Sequence, residues 1–556
     1  MAARTGAPLP RRPIWRRPAL IAWCVGANVT EAILLLATNL PSGLGLAVQA
    51  NAPAPFGVFH DLRWLIVYHD SWAGFGLEAV ALLVARGALT AVTLAAAWPD
   101  DVRRPSLGSL MVRGMVFTAA AAVLLVPWTI LLFGMAVVSV SWFFLAAVPP
   151  VLVVAVLSHH GVVGRDWWRH APPLRSLAWV LATFAVSSAA AGLASGSGDG
   201  TGVLVAAAAG LFDAWAWERM VRAVALKAAG PRRLAPVAPA GLASLLSLAV
   251  GGTAIGFAVS TPAPASAAPA PLAPSGPALL VAAGYGSQWD GRGGPPLPGR
   301  YREWRFSYRG LGPEGPLPYG SAETDQPLAV LARRMAAQVD ALHSRTGQPV
   351  DLVAESEGTM VVEAYLAGAA HPPVRDVVLV SPILRPARVY FPPGGKPGWG
   401  VAGGTALAGL GEAVGPLAPD QLSARGPLLR SLLQDAPRLV AAVRCPPPGV
   451  SLFAVLPLAD ALAAPGPDDL GIPSVVVPAF HGGLLGDAEV QQVIGAVLAG
   501  HPPSEGALWA ALEKAVRSSA SAWQVPALDH ALDPTWSQAG KPTCPAAPLG
   551  TLAAAP

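Results

Sequence analysis

The first 260 residues contain repeated apolar stretches, each about as long as a membrane-spanning helix. Such a helix needs roughly 20 predominantly apolar residues to cross the hydrocarbon core of a bilayer. Charged residues make up only 13% of the chain, against roughly 25% in soluble domains. The sequence therefore predicts an α-helical transmembrane bundle over residues 1–260. Its seven predicted spans cover residues 19–38, 73–97, 114–134, 137–158, 176–194, 202–224 and 240–260.

The distribution of basic residues predicts how this bundle is oriented. Five arginines precede residue 18, and further Arg and Lys residues follow the second, fourth and sixth predicted spans. The intervening loops are nearly free of basic residues, apart from Arg63. Because Lys and Arg favour the cytoplasmic side, the N-terminus is expected to be cytoplasmic. An odd number of spans then places everything after Ser260 outside the cytoplasm.

Ionisable residues lie within or close to the predicted spans. Such residues are costly in lipid and usually face a bundle interior or a cavity. They are compatible with a path for ions or lipids, or with pairing inside the bundle. These ionisable residues are Glu31, Glu78, Arg86, Asp213, Glu218 and Arg219.

The stretch His60–Trp72, which contains His69, is expected to be an interfacial segment in an outward loop.

An Ala/Pro-rich segment at residues 261–277 separates the bundle from a region of different composition. Alternating Ala and Pro favour an extended spacer. Over residues 278–501, short apolar runs alternate with amphipathic stretches, which predicts an α/β domain with a mostly parallel sheet. An insertion at 384–449, poor in charge, lies where such a domain carries a lid. Residues 502–556 are expected to form one helix and a loose tail.

The sequence AESEG at residues 354–358 follows the predicted strand 349–354 and precedes a predicted helix. It is similar to the nucleophile elbow G-x-S-x-G, with Ala354 in place of the first glycine. Small residues are needed there because the serine occupies a strained strand-to-helix turn. The motif therefore predicts Ser356 as a nucleophile, whereas a helix-capping serine is the structural alternative.

A serine hydroxyl needs a base, and the base needs an orienting acid. His481 follows the last predicted strand and is the candidate base. Asp460 follows the preceding strand and is the candidate acid, with Asp468 and Asp469 as rivals. The other histidines of this half are His343, His371, His501 and His530.

An oxyanion hole requires backbone N–H groups directed at the developing negative charge. One donor is normally the residue after the nucleophile, here Glu357. The other is expected in the glycine-rich loop at residues 284–287, from Tyr285 or Gly286.

These features together resemble the α/β-hydrolase superfamily, in the style of lipases, esterases and cutinase-like enzymes. The resemblance covers residues 278–500 and leaves the bundle unexplained. It implies an α/β-hydrolase fold and a Ser356–His481–Asp460 triad. The glutamates on both sides of Ser356 depart from the histidine that more usually precedes the nucleophile.

The expected function is that of a membrane-anchored extracytoplasmic serine hydrolase that cleaves lipid or acyl esters through an acyl-enzyme. An acyltransferase would use the same residues. A transporter or sensor with a hydrolase-like binding module is the alternative from another class. Neither a metal nor an organic cofactor is expected, nor is nucleic acid a partner; the expected partners are the ester substrate and the lipid bilayer. Cys445 and Cys544 could form a disulfide outside the cytoplasm.

Overall fold

The three-dimensional structure is a computed structural model of the whole chain. It describes residues 17–38, 43–135, 151–156, 174–195, 197–225, 276–292, 297, 301–383, 400–414, 426–428, 430–432, 439, 445–457, 472–479, 482–503, 506–521 and 523.

The described helices before residue 226 are α1 (Pro18–Ala37), α2 (Leu44–Ala47), α3 (Phe56–Leu65), α4 (Trp72–Ala97), α5 (Leu107–Met135), α6 (Leu174–Ser195) and α7 (Asp199–Ala225). Of these, α1, α4, α5, α6 and α7 are long and apolar enough to cross a membrane. They coincide with five of the predicted spans, and a membrane-embedded region is thereby supported. The predicted span 240–260 lies outside the described residues, as does most of 137–158, of which 151–156 are helical.

The chain between α1 and α4 differs from the prediction. Helices α2 and α3 have 4 and 10 residues, and residues 43–60 are all buried. His60 and Arg63, expected in an interfacial loop, lie in α3 and are 3% and 0% exposed. The charges had indicated contact with water, but these side chains are instead enclosed by other parts of the chain.

The described contacts divide the chain into two compact units. The first comprises Met1–Asp61, Val80–Leu125 and Pro150–Leu246, and the second Leu62–Ala79, Val126–Pro149 and Ser247–Pro556. Residues 62–79 thus belong with the C-terminal half. Cys445 is disulfide-bonded, whereas Cys24 is a free thiol.

The second unit contains a parallel sheet with helices. Its elements are β1 (Ala278–Ala282), β2 (Arg302–Arg305), α8 (Leu328–Thr346), β3 (Val350–Glu355), α9 (Glu357–Gly368), β4 (Val374–Val380), α10 (Val401–Val414), β5 (Ser451–Pro457), β6 (Ser474–Val477), α11 (Ala488–Leu498) and α12 (Ala507–Ser521). The six strands are ordered β2-β1-β3-β4-β5-β6, and all adjacent pairs are parallel. The predicted α/β architecture is confirmed at this level.

Each face of the sheet carries its own hydrophobic core. Alternate residues of a strand point to opposite faces, so Leu280 packs in one core and Val281 in the other. The first core includes Leu331 and Met335 of α8, as well as residues of α9. The second includes Ile494 of α11. Burial on both faces explains why the strands are almost continuously apolar.

Part of the insertion at 384–449 is also described. His69 accepts a hydrogen bond at Nε2 from the Ala402 N–H, 2.8 Å away, at the start of α10. Its Nδ1 lies 2.6 Å from the Leu65 carbonyl oxygen, to which it donates. Leu428 and Leu432 pack in the core that contains α8. These two leucines are therefore part of the domain core rather than a detached cover.

Candidate active site around Ser356

Ser356 alone connects β3 to α9, and its backbone is strained. Its φ and ψ angles are 52° and −116°, a conformation that non-glycine residues rarely adopt. Such a conformation costs about 1–3 kcal/mol and persists only where the surroundings enforce it. The sharp strand-to-helix turn predicted from the AESEG motif is present, and the Ser356 side chain is partly exposed.

Small residues around the turn allow the strained serine to fit. A Cβ added to Gly358 would lie 2.9 Å from the carbonyl oxygens of both Ala282 and Ala283. A Cβ added to Gly284 would lie 3.1 Å from Ser356 Cβ. The N-terminus of α9 therefore lies directly against the carboxyl end of β1, and no side chain larger than hydrogen fits at position 358 without displacing backbone.

The turn at Ser356 lies at the topological switch point of the sheet, where successive strands begin to be added on the other side of β1. From β1 the chain passes to β2 on one side, whereas β3 adds on the other side of β1. Ligands of open parallel sheets bind outside the carboxyl ends of the strands at this switch point. Ser356 follows the carboxyl end of β3, and the loop 284–287 follows that of β1. The two predicted parts of the site therefore meet there.

Side chains that the sequence analysis did not identify hold the loop after β1. The Gly286 N–H donates to Thr324 Oγ1 at 3.0 Å, and Tyr308 Oη donates to the Ala283 carbonyl at 2.6 Å. One of the two predicted loop donors, the Gly286 N–H, is thus bonded to a side chain in this structure.

The Glu357 backbone N–H lies in the first turn of α9, where N–H groups have no partner within the helix. Its side chain is 1% exposed and lies beside Tyr308. Burial raises the pKa of the Glu357 carboxyl well above its usual range, and the charge of Asp325 raises it further. Burial therefore disfavours the ionised form of this carboxyl, next to the N–H that is the predicted oxyanion donor.

Glu355 connects the turn to the loop that follows β6. Its side chain is 5% exposed, and Oε1 accepts a hydrogen bond from the Leu484 N–H at 2.7 Å. Leu484 lies three residues after His481 in the chain. The glutamate that stands where hydrolases more usually carry histidine therefore contacts the segment that carries the predicted base.

His481, Asp460, Asp468, Asp469 and His530 lie outside the described residues. The structure does locate three rival histidines. His343 near the end of α8, His371 before β4, and His501 after α11 all lie toward the amino ends of the strands. A six-residue strand such as β3 spans roughly 20 Å, which separates that edge from Ser356.

The first unit contains a separate polar cluster around the short helices α2 and α3. Asn28 Oδ1 accepts a hydrogen bond from the Asn51 N–H at 3.0 Å, and Trp217 Nε1 donates to the Asn51 carbonyl at 2.9 Å. Arg86 Nη1 donates to the carbonyl oxygen of Ala50, the residue before Asn51, at 2.7 Å. Side chains from α1, α4 and α7 thus satisfy the irregular backbone between α2 and α3.

The ionisable groups of this cluster are ion-paired or hydrogen-bonded to one another or to a neutral side chain. His60 Nε2 lies 2.7 Å from Glu31 Oε1, and Nδ1 lies 2.9 Å from Asp61 Oδ1. Arg86 forms an ion pair with Asp61, and Asp213 accepts from Asn28 Nδ2 at 3.1 Å. Buried ionisable groups are required by internal pairing and equally by a path through the bundle, the two alternatives that the sequence leaves open. No group of metal-ligating residues suited to an ion occurs among the described residues.

Comparison of the chain with models of protein families, with curated proteins and with solved structures finds no match. The functional interpretation therefore rests on the motif around Ser356 and on the geometry of the described residues.

Proposed function

We propose that this chain is a membrane-embedded serine hydrolase that uses Ser356 as its nucleophile and cleaves carboxylic esters. The observation that carries the proposal is the strained backbone of Ser356, enforced between β3 and α9 by contacts that only glycine permits at position 358. Structures retain such strain mainly at functional sites. A serine that merely capped α9 would not require it, and Ser356 makes no side-chain capping bond to that helix.

The architecture supports assignment of the domain to the α/β-hydrolase fold. The nucleophile follows a central strand, and the glycine-rich loop that would supply an oxyanion donor follows the neighbouring strand. In that fold the acid and the histidine come later in the chain, in the order Ser, Asp, His. Asp460 follows β5 and His481 follows β6, which is the required order.

In the proposed reaction, His481 removes the proton from Ser356 Oγ as the oxygen attacks the ester carbonyl carbon. Asp460 orients His481 and stabilises the imidazolium. The N–H group of Glu357, together with that of Tyr285 or Gly286, binds the oxyanion. The proton passes from His481 to the departing alcohol, which leaves an acyl-enzyme. Water, or another alcohol in a transferase, then attacks with His481 again as base.

Acyl esters of lipids are the proposed substrate class, because the hydrolase is attached to a bundle of apolar helices that contacts lipid. Helix α10, which lies within the insertion, is itself apolar and carries a single charged residue. An extracytoplasmic location is supported by the alternation of basic residues between the predicted spans. The disulfide at Cys445 also supports it, since disulfides persist in oxidising compartments.

The proposal is tested with the purified full-length chain and p-nitrophenyl esters of increasing acyl length. Ser356→Ala is expected to abolish hydrolysis, because the oxyanion donors alone cannot form an acyl-enzyme. Ser381→Ala is the matched control, since Ser381 also has a positive φ of 48° and follows the adjacent strand. Hydrolysis that persists in Ser356→Ala would show that the proposed nucleophile is wrong.

A second candidate function, proton movement through the bundle, is favoured by the polar cluster around His60. Irregular backbone at membrane depth is tolerated where it is enclosed by protein or lines a cavity, and buried ionisable residues often mark ion or proton pathways. Proteoliposomes that enclose a pH-sensitive dye test it. Proton flux should be lost in His60→Gln and retained in Ser356→Ala, and flux that is unchanged by His60→Gln would exclude this function.

A further inference from the structure

Glu355 is the last residue of β3 and lies next to the proposed nucleophile. Its side-chain Oε1 accepts a hydrogen bond from the Leu484 N–H at 2.7 Å across a separation of 129 residues. This distance lies at the short end of the range for N–H···O hydrogen bonds. This contact therefore fixes the position of Leu484 relative to the turn at Ser356.

The segment between Leu484 and His481 has little packing of its own. Gly482 and Gly483 have φ angles of 93° and 73°, and an added Cβ would meet nothing within 4 Å at either position. Three residues span at most about 11 Å. The predicted base therefore stands only three residues along the chain from the backbone N–H that Glu355 binds.

We propose that Glu355 is a positioning residue, which holds the loop carrying His481 so that the imidazole can reach Ser356. This inference rests on the proposed function. It also accounts for the departure of the AESEG motif from elbows with histidine at this position: the glutamate supplies a hydrogen-bond acceptor for the loop after β6. Glu355 itself does not touch the reacting atoms in this scheme.

The expected effects separate positioning from substrate binding. Glu355→Ala should lower kcat by about 100-fold, because a displacement near 1 Å at a catalytic group has an effect of that size. KM should change little, since the loop does not bind the acyl chain in this scheme. Glu355→Gln keeps an oxygen acceptor in the same place and should recover most of the activity, to within about fivefold of the unmodified chain.

Glu363→Gln and Glu363→Ala are the matched controls. Glu363 is also a buried glutamate, 2% exposed, and lies in α9, but it has no described contact with the loop after β6. If Glu355 acts only through general stability, the two alanine variants should lower kcat to the same extent at equal loss of thermal stability. A large kcat loss confined to Glu355→Ala, with rescue by glutamine, supports positioning.

A second pair of variants tests the donor side and applies even if Glu355→Ala does not fold. Leu484→Ala removes the buried side chain but keeps the N–H, whereas Leu484→Pro removes both. Proline is tolerated at the first position of a helical turn, and Leu484 begins such a turn. Leu484→Pro should therefore have a lower kcat than Leu484→Ala. Equal kcat values for these two variants would overturn the inference.

Fluorophosphonate labelling of Ser356 separates failure of this inference from failure of the proposed function. If the unmodified chain is not labelled at Ser356, the proposed function itself fails. If Ser356 is labelled and Ser356→Ala is inactive, but Glu355→Ala keeps the kcat of the unmodified chain, only the positioning role is wrong.

Discussion

Replacing Gly358 with alanine places one methyl group against the turn that holds Ser356. The new Cβ would lie 2.9 Å from the carbonyl oxygens of Ala282 and Ala283 and 3.1 Å from Ala282 Cβ. Two of these contacts are with backbone at the end of β1, which cannot rotate away as a side chain can. Relief requires α9 to move by a few tenths of an ångström, and overpacking of this kind costs about 1–3 kcal/mol.

Alanine also gains about 1 kcal/mol of helix propensity over glycine. The net destabilisation expected for Gly358→Ala is therefore about 0–2 kcal/mol. The effect on catalysis should be larger than this stability loss suggests, because the same movement displaces both Ser356 and the Glu357 N–H. A displacement of about half an ångström should lower kcat at least tenfold.

Gly368→Ala provides the control, since Gly368 ends the same helix and an added Cβ there meets nothing within 4 Å. Thermal unfolding and ester hydrolysis are measured for the full-length chain in detergent. Gly368→Ala should retain activity and unfold at the same or a slightly higher temperature. If Gly358→Ala is as stable and as active as Gly368→Ala, the proposed close packing of α9 against β1 is wrong.

Four further predictions concern single side chains. Burial raises the pKa of Glu363 well above its usual range, so the folded chain keeps a proton that the unfolded chain releases as pH rises above about 4. Stability should therefore fall with rising pH. Glu363→Gln should make this slope shallower in denaturation curves at different pH, and an unchanged slope would contradict the prediction. Ser381 has a φ of 48°, and its buried hydroxyl has no described hydrogen-bond partner. Ser381→Gly should therefore raise the unfolding free energy by about 1 kcal/mol, and a lower melting temperature of this variant would contradict the prediction. Cys445→Ser should lower stability by about 2–5 kcal/mol, with a mobility shift on non-reducing gels, and reductant should have the same effect on the unmodified chain only. His60→Ala leaves two carboxylates without the imidazole between them and should cost about 3 kcal/mol, so an unchanged melting temperature would show that this network contributes nothing.

Local patterns in the sequence predicted most of the regular elements. Leu331, Met335 and Val339 are spaced four residues apart, as on one face of a helix, and they are buried in α8. Length and apolar composition located five helices that could cross a membrane. The turn at Ser356 was predictable because its small neighbours are adjacent in sequence and their steric role is local.

Contacts between distant residues could not be predicted in this way. His60 pairs with Glu31, 29 residues away, and a short charged stretch therefore looked like a solvated loop. The bond from Leu484 to Glu355 spans 129 residues, and no local pattern indicates it. The anchoring of Gly286 by Thr324 likewise depends on how the loop folds. For these groups, tertiary contacts decide the environment and the sequence pattern is ambiguous.

The central claim, that Ser356 is an activated nucleophile, is tested most directly by covalent labelling. The full-length chain is treated with a fluorophosphonate and digested, and the modified peptides are identified by mass spectrometry. The account predicts a single major adduct on Ser356 that is lost after heat denaturation and in Ser356→Ala. An unmodified Ser356 in a folded chain, or equal labelling of other serines such as Ser381, would contradict it.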